Sequence, residues 1–413
     1  MLKLFRNGRI LKPDFNIEKA NILIQDETIY DILNPDEEPR KTPDAEIDLE
    51  GQAVFPGLIN AHDHLIDTCW KGIGNYPAEN WYEWDSSVKA SPEYKAMQML
   101  SVTDLYILGM YKNIVSGATT VVDHFPSEVS KTFFGHPLVS LLEHLTLAHS
   151  ASNYQLQWGR NIAEEFRNAR GVIPFIIHLG EGNSREIKEE LETLNRLDVL
   201  SSNTVLVNCA HLSEADFQLI KSKNSSIVWL PTSSQRILNK ELNIKAVLEH
   251  HINLAIGTDS SITGSLGMLE EIKTALRVAK EKTEGEIKEI DILKMATINA
   301  ARMFGIEKNC GTVQPGKCAN LIVFPCKEDA DPIKEFFKLT FEQLSMVIHK
   351  GVMIAGNDEF RKVSAIDFNL YSEVKLNNVS KILYGRPAQL IERISHKLNM
   401  NVQFPFFPIQ SED

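Results

Sequence analysis

The chain of 413 residues carries 43 basic and 55 acidic side chains, which gives a formal net charge of -12. This negative charge disfavours nucleic acid and anionic membrane surfaces as partners. Hydrophobic residues make up 43% of the chain, as in ordinary globular proteins, and no run of them is long enough to predict a membrane-spanning helix.

The first 55 residues predict short strands joined by turns. Strand-like runs occupy residues 2–5, 20–25 and 29–33, and Asn7-Gly8 is a dipeptide typical of a hairpin turn. Residues 34–43 are polar and contain three prolines, so they predict an exposed loop. We therefore assign residues 1–55 to a small β domain.

From Gln52 the pattern changes to strands that alternate with helices. Apolar runs rich in Val, Ile and Leu, which are typical of buried parallel strands, lie at 53–60, 118–123, 172–177, 204–208, 226–230 and 252–257. Helical segments accompany them at 92–116, 160–169, 184–197, 213–222, 244–250, 264–282 and 291–304. This repeated unit predicts an α/β fold, a (β/α)8 TIM-like barrel over residues 56–309.

One part of this barrel is short of sequence. Only 48 residues, 124–171, separate two of the predicted strands, although two strand–helix units must fit there. One such unit usually takes about 30 residues. Residues 144–149 are the best strand candidate, and the other strand has no clear position. We therefore expect a barrel that is distorted at this point.

After residue 310 the strand pattern returns, at 320–324, 345–350 and 353–355. We assign residues 310–365 to the same small β domain as residues 1–55, so that the barrel interrupts it. Residues 366–413 predict a C-terminal extension, with an amphipathic helix at 388–398 and an apolar tail at 402–409. This extension is expected to pack on the barrel or on a partner.

The cysteines and the N-terminus bear on the cellular compartment. The five cysteines have no paired spacing, which predicts reduced thiols. The first 12 residues carry charges within their apolar stretch and no cleavage-type site, so we expect no signal peptide. Together these features predict a cytoplasmic protein.

The segment PGLINAHDH, residues 56–64, carries the strongest chemical signal. On a strand, residues i and i+2 share a face, so His62 and His64 point the same way. Active sites of barrels form at the C-terminal ends of the strands. The alternative is a pair of surface or loop histidines, but their position after a buried strand favours a metal site.

Three further strand ends carry groups that are able to bind a metal, His178, His211 and Asp259. The alternative for either histidine is a core residue satisfied by hydrogen bonds. Several strand ends that bring such groups to the same rim of the barrel nevertheless favour a shared site. Imidazoles and a carboxylate suit Zn²⁺ or Fe²⁺. Glu181, three residues after His178, is either a solvated acid at a helix start or a proton carrier on this rim.

Four residues are candidate substrate contacts by their position. His149 and Ser150 end a predicted strand, Trp84 lies in the long loop after the first barrel strand, and Trp229 ends a later strand. Aromatic side chains are able to stack on a flat heterocycle, although loop or packing roles are the alternative for each. We interpret His124, which follows the second barrel strand, as a residue that supports the metal ligands from behind or as a structural residue.

On these motifs the chain resembles the amidohydrolase superfamily, in its cytosine deaminase-like and chlorohydrolase-like branch. The resemblance covers about residues 1–360 and rests on PGLINAHDHL, GATTVVDH, HLGEG, the strand end at His211, GTDS and the run from 296 to 324. It implies a barrel flanked by a β-sandwich-like domain. Two departures are Asn320, where an aspartate is usual, and Ser234, where relatives have Asn. The second departure and the shortened region before His178 leave the substrate open.

The resemblance also implies roles for the site residues. It implies that four side chains bind one divalent metal ion: His62, His64, His178 and Asp259. It implies that Glu181 carries protons, that His211 orients or polarises the water or the substrate, and that Asp259 accepts a proton or hydrogen bond from the water. Relatives with two metals use a lysine at the fourth strand, and Lys131 lies in a polar loop, so we expect one metal, Zn²⁺ or alternatively Fe²⁺.

The implied activity is hydrolysis of a carbon–nitrogen bond in a small heterocyclic substrate, by attack of metal-bound hydroxide and most simply as a deamination. Hydrolytic dehalogenation and cyclic amide ring opening on the same site are alternatives. A structural homologue without activity is a further alternative, and a metal-free protein would support it. A homodimer is expected only by analogy.

Overall fold

The first five strands of the chain form one end of a large sheet in this computed structural model, which describes residues 1–152, 161–364, 368–377, 379–407 and 409–410. They are β1 Leu2–Leu11, β2 Ile17–Gln25, β3 Thr28–Leu33, β4 Ala45–Asp48 and β5 Ala53–Pro56. Strand β1 pairs antiparallel with β2 and parallel with both β4 and β5. Strand β3 pairs antiparallel with β2 and forms the edge.

The hairpin predicted at Asn7-Gly8 is wrong, because both residues lie inside β1. Asn7 has a φ of 57°, and the pairing of β1 with β2 shifts register between Phe5 and Gly8. The backbone N–H of Asn7 donates to the side-chain oxygen of Asn21 at 2.9 Å. A partner on β2 thus satisfies the displaced N–H, and the positive φ makes a bulge instead of a turn.

Eight strands form the barrel within the described residues: β6 Leu58–Asp63, β7 Ala118–Asp123, β8 Ser140–Leu141, β9 Thr146–Ser150, β10 Phe175–Leu179, β11 Thr204–Asn208, β12 Ser226–Trp229 and β13 Leu254–Ile256. Parallel ladders join β6 to β8 in chain order, and a second set joins β9 to β13. The N–H of Asp259 donates to the carbonyl of His62 at 3.0 Å, so the segment after β13 meets β6. The predicted barrel fold is confirmed.

The barrel lacks one helix where the sequence is short. Only residues 142–145 separate β8 from β9, and no helix lies between them. A residue of the large sheet contacts the barrel where this helix is missing. His349 accepts or donates a 2.8 Å hydrogen bond with the Ser140 hydroxyl, and its other ring nitrogen lies 2.8 Å from the Pro137 carbonyl. The missing helix is the distortion that the spacing predicts.

Helices surround the barrel strands. They are α1 Trp81–Ala90, α2 Pro92–Met97, α3 Val102–Val115, α4 Ser127–Ser130, α5 Ile162–Ala169, α6 Arg185–Lys188, α7 Glu190–Arg196, α8 Glu214–Ser222, α9 Pro231–Leu238, α10 Ile244–Glu249, α11 Met268–Lys282, α12 Glu289–Met295 and α13 Ile298–Met303. The single helix predicted over 92–116 is two helices, because Ser101 caps the start of α3 by accepting from the Asp104 N–H at 3.0 Å.

The last part of the chain returns to the large sheet. Its elements are β14 Leu321–Phe324, α14 Pro332–Phe336, β15 Met346–His349, β16 Val352–Gly356, β17 Tyr371–Leu376, β18 Val379–Tyr384, α15 Pro387–Leu398 and β19 Ile409–Gln410. Short 3-10 helices are Leu65–Thr68, Lys131–Phe133, Phe341–Gln343, Asp358–Ser364 and Phe368–Leu370. Strand β14 pairs antiparallel with β5, so the two chain ends share one sheet. Its path runs β19-β17-β18-β16-β15-β14-β5-β1-β2-β3.

The C-terminal extension has two positions. Strands β17 to β19 extend the large sheet beyond β16, whereas α15 lies beside α3, where Arg393 forms a 2.7 Å ion pair with Asp104. The Phe407 ring stacks on Tyr111 with centroids 5.1 Å apart. The predicted boundary at residue 365 falls outside the described residues, and the division into domains stays a prediction.

None of the helices in the described ranges is both long enough and apolar enough to cross a membrane.

Candidate metal centre

His62 and His64 end β6 with their rings on one side of the strand. The two Nε2 atoms lie 3.2 Å apart. Asp63, between them, points the opposite way and forms a 2.7 Å ion pair with the Lys112 ammonium group, where both side chains are fully buried. Its other oxygen accepts from the Asn113 amide at 2.7 Å. The alternation of the strand therefore places two imidazoles on the rim and their intervening carboxylate behind it.

Asp259 follows β13 and completes the first group of ligand atoms. Its Oδ1 lies 3.5 Å from Nε2 of His64 and 3.9 Å from Nε2 of His62. Its Oδ2 accepts from the hydroxyls of Ser233 at 2.5 Å and Thr263 at 2.8 Å. These two donors fix the carboxylate and direct the other oxygen at the histidines.

The neighbouring Gly257 allows this close approach. A Cβ atom at Gly257 would lie 2.7 Å from the backbone nitrogen of His62, closer than real Cβ contacts allow. Glycine at this position is therefore needed for the segment before Asp259 to pass beside β6.

These atoms fit a divalent cation. Ligands at about 2.1 Å from a tetrahedral zinc ion stand about 3.4 Å from one another, and the three separations here are 3.2, 3.5 and 3.9 Å. Burial lowers the pKa of His62 well below its ordinary value and lowers that of His64, so both rings are neutral acceptors. Burial alone would raise the pKa of Asp259, but His64 and the hydroxyl donors lower it, so the carboxylate is ionised.

His178, in β10, joins this group through its partner Glu181. Its Nδ1 lies 3.1 Å from a carboxylate oxygen of Glu181. Its ring centroid is 4.7 Å from that of His62. A histidine whose Nδ1 faces a carboxylate presents Nε2 to a metal, which is the usual arrangement in metalloenzymes.

Glu181 is buried and held on both oxygens. The Asn208 amide donates to Oε1 at 2.7 Å, and Oε2 faces His178. The Ser234 hydroxyl in turn donates to Oδ1 of the Asn208 side chain at 2.7 Å. The sequence interpretation missed Asn208, which ends β11, and the signal that pointed to it is the departure at Ser234.

His211 lies apart from this network. It is half-buried, and Nδ1 faces the Gly180 carbonyl at 3.3 Å. The backbone bends just before it, where Asn208 and Cys209 have φ values of 75° and 61°. Asn208 contacts Glu181, whereas the His211 ring lies beside Gly180. The catalytic role of His211 stays a prediction.

His149 and Ser150 end β9 and have different surroundings. The His149 ring is 5.2 Å from that of His178 and 4.4 Å from that of Trp81, nearly edge to face. The Ser150 hydroxyl donates to Glu190 at 2.5 Å. The same carboxyl accepts from the Gly180 N–H, and its burial raises the pKa of Glu190 to about 7. Ser150 is thus engaged with protein, whereas His149 lies near the centre.

The two tryptophans that are predicted as substrate contacts both pack against protein side chains. Trp84 lies against a small apolar cluster that includes Ile73 and Ile262. Trp229 is fully buried, and its indole N–H donates to the Glu241 carboxyl at 3.1 Å. Trp81, the first residue of α1, lies against the ring of His149. The backbone N–H of Trp81 donates to the backbone carbonyl of Glu181 at 3.0 Å, which joins the start of α1 to the rim.

The family model described as "Amidohydrolase family" matches residues 169–354. Over this segment, a little less than half of its length, the chain resembles the amidohydrolase family. The sequence-based prediction of an amidohydrolase, a hydrolase of carbon–nitrogen bonds, is confirmed.

Known proteins resemble this amidohydrolase in sequence and in fold. The 5-methylthioadenosine/S-adenosylhomocysteine deaminase of Pyrococcus furiosus is 25% identical over 374 residues, covering 77% of this chain and 85% of the relative. The 5'-deoxyadenosine deaminase of Methanothermobacter thermautotrophicus is 24% identical over 360 residues, covering 74% and 81%. A zinc-bound adenosine deaminase structure from Xanthomonas campestris has a TM-score of 0.72 at 19% identity, covering 96% of this chain and 98% of that one.

The contacts of Asn208 and His211 predict different effects on kcat when each residue is replaced by alanine. We expect Asn208→Ala to lower kcat about 10- to 100-fold, because Glu181 loses the amide that holds Oε1. We expect His211→Ala to lower kcat less, because its ring faces a carbonyl group outside the network. Steady-state kinetics at equal metal content would measure both. A larger loss in His211→Ala would return the catalytic role to that histidine.

Glu241 makes the stability of this amidohydrolase depend on pH. Burial raises the pKa of Glu241 from 4.5 to about 8. The folded state therefore holds a proton that the unfolded chain releases above pH 4.5, and this contribution to stability is lost as pH rises toward 8. We expect the thermal midpoint to fall from pH 5 to pH 8.5, and to fall less in Glu241→Gln. Glu249→Gln, at an exposed glutamate, is the control and should leave the slope unchanged. An equal slope in Glu241→Gln and wild type would contradict the assignment.

Proposed function

We propose that this amidohydrolase is a metal-dependent aminohydrolase that removes the exocyclic amino group of an adenine nucleoside. The observation that carries the proposal is the juxtaposition of the His62, His64 and Asp259 ligand atoms with the buried His178–Glu181 pair. A cation site and a proton-carrying carboxylate on one rim are what hydrolytic deamination requires.

The proposed cation is a single divalent ion, Zn²⁺ or alternatively Fe²⁺. Four side chains would hold it: His62, His64, His178 and Asp259. When bound, such an ion supplies an activated water and stabilises negative charge on the substrate. Neutral imidazoles and one carboxylate are the donor set that these metals accept.

Glu181 is the proposed proton carrier. In the reaction a C–O bond forms between water and the ring carbon, the C–N bond to the amino group breaks, and ammonia leaves. A proton must move from the water to a ring nitrogen and another to the departing nitrogen, and a carboxylate near both serves each transfer. Asn208 and His178 hold the two oxygens of Glu181, so the carboxylate keeps one orientation.

The adenine base is proposed from the relatives and from the aromatic side chains near the centre. The three proteins compared above are named as deaminases of adenine nucleosides. Two of the names describe nucleosides that are altered at the 5 position of the sugar. His149 lies beside His178, and Trp81 packs against His149, so the two rings offer edges and faces to a flat base. We therefore propose a 5'-substituted adenine nucleoside as the substrate class, with His149 as a substrate contact.

The test combines metal content with a substrate screen. Protein loaded with Zn²⁺ would be assayed for ammonia release from adenosine, 5'-deoxyadenosine, 5'-methylthioadenosine, guanine and an aminotriazine, and for chloride release from a chlorotriazine. About one ion per chain and ammonia from the adenine nucleosides support the proposal. Chloride release would favour the dehalogenase alternative. Two ions per chain would contradict the single-ion site, and no bound metal would favour a structural homologue.

The remaining predictions concern the cellular location and the oligomeric state of the enzyme. The five cysteines are free thiols, which supports the proposed cytoplasmic location. The homodimer stays a prediction, and light scattering of the purified protein would test it.

A further inference from the structure

His124 is a buried histidine to which the proposed function gives no role. It follows β7 directly and is fully buried. Its ring centroid is 5.0 Å from that of His62 and 4.8 Å from that of His178. Ligand nitrogens of these three histidines lie within 4.8 Å of one another. Imidazoles from β6, β7 and β10 thus converge at one place.

We propose that His124 is a fifth ligand of the cation held by His62, His64, His178 and Asp259. This inference rests on the proposed function, because it concerns the same ion. It changes the expected coordination shell from three imidazoles to four. It also replaces the structural role that the sequence interpretation gave to this residue.

The surroundings of His124 favour a ligand over a structural histidine. The ring of His124 lies among the imidazoles of His62, His64 and His178, and the His64 centroid is 5.6 Å away. A hydrogen bond to the Ala148 backbone orients the ring, as the second nitrogen of a metal-ligating histidine commonly is oriented.

His62 connects His124 to the other proposed ligands. It belongs to two groups of possible ligand atoms, one with His64 and Asp259 and one with His124 and His178. Within each group the ligand atoms lie within 4.8 Å of one another. Five side chains around a six-coordinate ion would leave one position open for water or substrate.

The experiment counts imidazole ligands and measures zinc affinity. X-ray absorption of the zinc-loaded wild-type protein should fit four imidazole nitrogens, and His124→Asn should fit three. Competition with a chelator should show a zinc Kd at least about tenfold higher in His124→Asn. The control is His349→Asn. His349 is also buried, but its two ring nitrogens bind Ser140 and Pro137 and no proposed metal ligand. The control should match wild type in both measurements.

Two results would overturn the inference. Three imidazoles in the wild-type spectrum would exclude His124 from the shell without any variant having to fold. A zinc Kd in His124→Asn equal to that of wild type would do the same. If either result came with ammonia release from adenine nucleosides, the proposed function would stand and only the fifth ligand would fail. A wild-type protein that binds no zinc would remove both.

Discussion

Glu181→Gln should lower kcat by about 10²- to 10⁴-fold while the protein keeps its bound metal. This range is what general acid–base catalysis by one positioned group contributes. Glutamine has the same shape and still accepts a hydrogen bond from His178, but it cannot carry a proton at neutral pH. The cation ligands are other residues, so metal content should stay near the wild-type value. Steady-state kinetics and elemental analysis on the same samples would measure both quantities.

The matched control is Glu186→Gln, at an exposed glutamate five positions along the chain. It should keep wild-type kcat and metal content. If Glu181→Gln retained more than half of the wild-type kcat, Glu181 would not be the proton carrier. If it lost its metal instead, Glu181 would act through the orientation of His178.

Lys112→Met should destabilise the protein by about 3–5 kcal/mol. Lys112 and Asp63 pair at 2.7 Å with both side chains fully buried. Removal of one partner leaves an uncompensated charge in the interior, and breaking a buried pair in this way costs about that much. The Asn113 and Asn60 amides that also donate to Asp63 reduce the loss but carry no charge. Urea unfolding of the metal-free protein would measure the change without a contribution from bound metal.

Two variants make this prediction specific. Lys112→Met combined with Asp63→Asn should recover part of the stability, because the buried carboxylate is gone. Lys245→Met breaks an exposed pair with Glu249 and should cost less than about 1 kcal/mol. A loss in Lys112→Met no larger than in the surface variant would mean that water reaches Asp63 in solution.

The barrel was predictable from the sequence because its strands are buried on both faces. Runs such as 118–123 and 204–208 coincide with β7 and β11, since apolar side chains are needed on each side of a parallel strand. The bulge at Asn7 was not predictable, because its partner Asn21 comes from the next strand. For the same reason nothing local in the sequence indicated that β17 to β19 extend the large sheet.

The candidate centre was predictable where the spacing of residues along a strand fixes the direction of their side chains. His-x-His on a strand must place both rings on one face, and the structure brings His62 and His64 together with Asp259. Spacing alone does not fix the direction of the His211 side chain, because two residues with positive φ turn the chain just before it. Spacing cannot reveal the roles of Asn208, at the end of a strand, and Glu190, in a helix. Their hydrogen-bond partners come from other elements of the chain.

The contact of His349 with Ser140 and Pro137 has a consequence for synthesis on the ribosome. It joins residues 209 and 212 positions apart, and it covers the place where the barrel has no helix of its own. A nascent chain that has emerged only as far as β13 therefore carries an open flank, and β15 must leave the exit tunnel before that flank can close. We expect the barrel to mature late, at nearly full chain length, and a chain truncated before β15 to be captured by chaperones that recognise exposed apolar surface.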